Sequence, residues 1–86
     1  MSFSMAQCRA ARALLGWSQD ELSEASKVAK GTVAQFEAGK RTPYDRTLAD
    51  IRAALEAAGV EFIEEGNALP AGGAGVRLKL AADPVR

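Results

Sequence analysis

Histidine is absent from this sequence, and cysteine occurs once, as Cys8. These two shortages remove most catalytic chemistry. Without histidine, neither a Ser-His-Asp nor a Cys-His arrangement can be assembled, and zinc would find one thiolate and no imidazole. A lone cysteine cannot form an internal disulfide, which suits a reducing cytoplasm. No apolar run approaches the roughly 20 residues that cross a bilayer. The start, Met1-Ser2-Phe3-Ser4, has neither the basic nor the apolar stretch of a secretory leader. Net charge is missing too, because 11 basic and 11 acidic side chains cancel. Residues 1–52 carry eight basic and six acidic side chains, and residues 53–86 three and five. Charge alone therefore selects no nucleic-acid partner; position must decide. Glu64 and Glu65 are sequence neighbours that diverge on a strand, so they form no catalytic carboxylate pair. Gly72-Gly73-Ala74-Gly75 lacks the lysine and following helix of a phosphate loop. The expectation is a non-enzyme without metal, cofactor or small-molecule ligand.

What is present reads as one small domain. Its 86 residues are 48% apolar, and at this size a second subunit would add useful buried surface. Residues 5–15 predict a first helix with Cys8, Ala11 and Leu15 on one stripe, Trp17 following and Gly16 as the stop. Cys8 on that stripe reads as a small core hydrophobe rather than a redox sensor. Ser18-Gln19-Asp20-Glu21 has the form of a capping box, so a second helix starts at Ser18 and runs to about 25 or 26, burying Leu22 and Ala25. After the connection 26–28, a third helix of about 30–38 turns Val33 and Phe36 inward and stops at Gly39. Residues 40–43 form a basic loop, and Thr42 or Asp45 is expected to cap a fourth helix near 44–58. Leu48, Ile51, Leu55 and Ala58 form its apolar stripe.

Beyond Gly59 the periodicity changes. Residues 60–63 read as a strand, and residues 76–80 alternate apolar and basic side chains, as a second strand does. Between them, residues 66–75 hold four of the eight glycines plus Pro70, the composition of a loop. An isolated hairpin is marginal in water, so these strands need another surface. Packing back on the fourth helix is one solution. The favoured one is pairing with a second copy across a two-fold axis through Val60, Phe62, Ile63, Val76, Leu78 and Leu80.

Periodicity alone stops at a small helical domain. Residues 17–40, WSQDELSEASKVAKGTVAQFEAGK, carry a sharper signal: they resemble, without a gap, the helix-turn-helix of the XRE (phage repressor/Cro-like) family. The matching positions are Ser18-Gln19, Glu21-Leu22, Val28, Thr32-Val33, Phe36-Glu37, Gly39-Lys40 and Pro43, with Arg12 upstream and Leu48 downstream. The resemblance implies a mainly α fold: a four-to-five-helix repressor-like bundle followed by a short hairpin or strand pair. It divides the chain into a DNA-binding domain at 1–59, with its helix-turn-helix at 18–39, and a dimerisation tail at 60–86. It further implies a cytoplasmic, nucleoid-associated regulator, expected to be a repressor, that reads a pseudo-palindromic duplex site as a homodimer. Helix 3 would offer Lys30, Gly31, Thr32 and Gln35 to base edges, while Gln19, Lys40, Arg41 and Tyr44 meet phosphates. Arg12 and Glu37 stand where family members commonly join helices 1 and 3 by an ion pair. Some small XRE-like proteins also end in a V-E-F-I segment, a glycine-rich stretch and G-V-R-L, similar to residues 75–78 here.

The chain departs from the family pattern at three places. Lys27 occupies the usual turn glycine, so a lysine has to adopt positive φ. Ala29 replaces the usual Ser or Thr cap of helix 3. Gly31 and Ala34 leave the reading face poor in polar groups, which shifts weight to DNA shape. An antitoxin-like or adaptor module that binds a protein through the tail is the competing reading.

Overall fold

The computed structural model describes residues 3–64 and 73–79. Helix α1 spans Met5–Leu15 and begins at a capping box that the sequence reading passed over. Ser4 Oγ accepts from the Gln7 backbone N–H at 3.1 Å, and Gln7 Oε1 accepts from the Ser4 N–H at 3.0 Å. The helix ends at Gly16, whose φ of 71° lets the N–H groups of residues 16 and 17 turn back to the carbonyls of Ala13 and Arg12. Helix α2, Gln19–Ser26, opens on the capping box of Ser18 and Glu21. Lys27 then takes φ 64°, the left-handed turn expected there. Ala25 is exposed, contrary to expectation, and Ser26 is buried instead. Its hydroxyl donates to the Leu22 carbonyl at 2.7 Å and accepts from Val28 N–H at 3.3 Å, so a polar residue packs inside the turn without loss.

Helix α3 spans Lys30–Glu37 and α4 spans Asp45–Ala57. The cap expected for α4 from Thr42 or Asp45 is not made: Tyr44 holds the cap position without a side-chain hydrogen bond. Asp45 is already helical there, placed where its charge suits the helix dipole. Leu48, Ile51 and Leu55 are buried, whereas Ala58 lies past the last turn and is exposed.

Strands β1, Val60–Ile63, and β2, Gly75–Leu78, pair antiparallel with Val60 opposite Leu78 and Phe62 opposite Val76. Gly75, expected in the loop, opens β2, which stops at Leu78; Leu80 lies outside the described residues. Among the described residues the architecture is thus four helices and a C-terminal hairpin. The hairpin packs back on α1 and α4 of its own chain, one of the two solutions expected for it. One face explains this. Val60 is fully buried, and Phe62 and Val76 pack against the same core as Cys8, Leu22, Val33, Ile51 and Leu55. Phe3 seals it from the N-terminal side, with ring centroids 5.1 Å from Phe62 in an edge-on contact and 5.7 Å from Phe36. The Arg52 guanidinium covers Phe62 at 5.0 Å. Gln7, itself buried, donates from Nε2 to the carbonyls of Ile63 at 3.3 Å and Gly75 at 3.1 Å, tying both strands to α1.

Candidate nucleic-acid interface

The core-facing side of α3 is set by Val33, Phe36 and Glu37, all buried. The opposite side is then left to Lys30, Gly31 and Gln35, which are exposed, with Thr32 half-buried beside them. A Cβ built on Gly31 would meet nothing within 4 Å. No packing constraint requires glycine there, and the bare backbone leaves room for close approach by a ligand. Ala29 caps the helix with no side-chain hydrogen bond, so the first N–H groups of α3 lack a side-chain partner. Ala29→Ser is expected to add about 1 kcal/mol through that missing cap, read as a higher urea midpoint; an unchanged midpoint refutes it.

Lys40, Arg41 and Tyr44 lie on the connection between α3 and α4 and are exposed, Tyr44 at 83%. A groove beside the start of α3 is lined by Lys27, Ala29, Thr32, Arg41, Tyr44 and Thr47. Arg41 and Tyr44 therefore share a surface with Thr32. Lys27, expected only as the turn residue, and Thr47, for which the sequence implies no role, join them through tertiary structure.

Beneath this surface sits a buried carboxylate. Glu37 accepts from Arg12 Nη2 at 2.7 Å and Nε at 2.8 Å, a two-pronged ion pair between α3 and α1. Gln19 Nε2 donates to the same carboxylate at 3.0 Å, and the Cys8 thiol also donates to it, at 3.0 Å. Arg9 donates to the Glu37 carbonyl, and Arg12 Nη1 donates to the Trp17 carbonyl at 2.9 Å. Burial works against the Glu37 charge, but the hydrogen bonds from Arg12, Cys8 and Gln19 outweigh it and hold the carboxyl below its ordinary range. Burial pushes the Cys8 thiol up, and its bond to Glu37 adds to the effect. A protonated, buried thiol is a poor nucleophile. The whole cluster is a clamp on helix angles, with no group free for acid–base work. Gln19 thus spends one amide N–H inside the protein and stands half-buried at the start of α2.

The short connection between the packed helices α2 and α3, its left-handed link at Lys27 and the exposed first turn of α3 are those of a helix-turn-helix. The helix-turn-helix family model matches residues 9–62, from within α1 to β1. The chain belongs to the XRE-type helix-turn-helix family. It is a DNA-binding domain of the transcription-regulator kind. No curated protein matches the chain.

In this helix-turn-helix domain the residues assigned to bases stand together on the first turns of α3, and Lys40, Arg41 and Tyr44 flank them. The strand residues are distributed differently. Val60 is committed to the chain's own core, Phe62, Ile63 and Val76 are half-buried, and Leu78 is exposed at 47%. Val60 is therefore not available to a second copy, because its side chain is already enclosed by its own helices. Among the described residues no group of three or more Cys, Asp or Glu side chains is placed to hold a metal, and no helix is long and apolar enough to cross a membrane.

Proposed function

We propose that this protein regulates transcription, as a repressor, by binding a pseudo-palindromic site as a homodimer in the cytoplasm, at the nucleoid. Helix α3 enters the major groove N-terminus first. Lys30 and Gln35 supply the donors and acceptor for base edges, and Gly31 and Thr32 make the close contacts. Lys40, Arg41 and Tyr44 take phosphates, as does Gln19 through its second amide N–H and the free N–H groups at the start of α2. The observation that carries the reading is the open first turn of α3, uncapped and exposed beside the groove that holds Arg41 and Tyr44. The half-exposed edge of the hairpin, with Ile63 and Leu78, is the surface available to a second copy.

Selection of bound duplexes from a random pool supplies the test sequence. On it, Lys30→Ala and Gln35→Ala are each expected to lose about five- to a hundredfold in affinity, the worth of one good base contact, with unchanged circular dichroism. Full affinity in both variants refutes this reading face, and a monomer by sedimentation at working concentration refutes the dimer. Zero net charge favours the competing adaptor reading, in which a protein partner docks on the hairpin. Loss of affinity with rising salt discriminates, since phosphate contacts release counterions and a protein–protein contact of a neutral chain does not.

A further inference from the structure

Lys30 is the first residue of α3, where the helix dipole disfavours a cation. A lysine there needs another partner, and the structure supplies one from α2. The ammonium stands 3.1 Å from Asp20 Oδ1, in the first turn of α2. Among the described residues this is the one ion pair that joins the two helices of the motif. Both side chains stay open to solvent, at 57% and 71%, so the pair is not held by packing and remains accessible to a ligand arriving at α3.

Resting on the reading of α3 as the groove helix, we propose that Asp20 is a specificity-determining residue that turns Lys30 from a charge into a hydrogen-bond donor. An ammonium carries three N–H donors. Asp20 holds it by charge, as an ion pair, so its donors stay available for the two acceptors of guanine, O6 and N7. The carboxylate meanwhile cancels the positive charge that would bind any phosphate and itself repels phosphates that come close. A lysine neutralised in this way gains little from random DNA and keeps its value at a base edge. Asp20 thereby lowers the non-specific background against which a site is found, the quantity that sets occupancy in a genome.

The test is a four-protein cycle of wild type, Asp20→Asn, Lys30→Ala and the double variant. Each is titrated by fluorescence anisotropy against a 30-bp duplex of mixed sequence over a salt series. Asp20→Asn is expected to bind this duplex about two- to fivefold tighter at low salt, in line with the modest strength of an exposed pair. Its slope of log Kd against log salt steepens by about 0.9, one extra phosphate contact. Both effects vanish in the Lys30→Ala background. A gain of equal size without Lys30 overturns the proposal, because Asp20 then acts by general repulsion alone; identical wild-type and Asp20→Asn curves also overturn it. If the wild type binds no duplex at any salt, the DNA reading falls and this assignment with it, an outcome distinct from equal curves with clear binding.

Discussion

Glu37→Gln is expected to destabilise the fold by about 3 kcal/mol or more, the usual consequence of removing one partner of a buried ion pair. The geometry makes the loss difficult to avoid. Oε1 accepts from Arg12 Nη2 and Gln19 Nε2, and Oε2 from Arg12 Nε and Cys8 Sγ. Whichever way a glutamine amide turns, its NH2 group faces donors, and the Arg12 charge loses its counter-ion. A domain of this length has a total stability on the order of 5–10 kcal/mol, so a fall of at least ~12 °C in Tm is expected.

The pH dependence follows from the same carboxyl. Its folded pKa lies below the ordinary value, near 4.3 for an unfolded chain. The stabilisation is therefore complete above that unfolded value and is lost as pH falls through the folded one. Urea melts from pH 7 to pH 3 should show the gap between wild type and Glu37→Gln holding steady down to about pH 4.5, then narrowing. A gap that stays constant to pH 3, or one below ~0.5 kcal/mol at pH 7, refutes the role assigned to the clamp.

Truncation after Gly59 is expected to abolish cooperative folding rather than merely release monomers from a dimer. The hairpin is not an appendage. Removing it uncovers the core around fully buried Val60 and strips Phe62 from Phe3 and from Arg52. It also leaves the buried Gln7 amide without the Ile63 and Gly75 carbonyls. Losing the burial of the fully enclosed Val60 and the half-buried Phe62 is worth about 2–4 kcal/mol, a large share of the stability of such a domain. Loss of near-native ellipticity and of a sigmoidal melt is the expected result. A truncated chain that melts cooperatively within ~1 kcal/mol of the full one shows that the helices fold alone and that the tail serves another purpose.

Much of the local structure was legible because it depends on neighbours in sequence. The α1 boundaries and the Ser18–Glu21 box follow from residues within four positions of each other; the left-handed Lys27 and the missing cap at Ala29 were legible only against the family pattern. The ordering of side chains across the molecule was not. Phe3 looked like part of an unremarkable start, yet it bridges Phe36 and Phe62. Gln7 stands off the Cys8, Ala11 and Leu15 stripe of α1, yet its partners lie 56 and 68 positions away. A short-range pattern carries no trace of such contacts. Ser26 and Ala25 exchanged their expected places for a similar reason, since a hydroxyl can be buried once a carbonyl within reach accepts from it.

The helix-turn-helix shows where the division falls. By itself the sequence determined four amphipathic helices and their stops, because periodicity, caps and glycines act over one helical turn. The resemblance to the XRE family added their arrangement. Only the tertiary structure decided that the two strands close on α1 and α4, that Gln19 and Cys8 converge with Arg12 on Glu37, and that Asp20 meets Lys30. Those are choices among several surfaces of similar polarity, and the packing of the whole core selects between them.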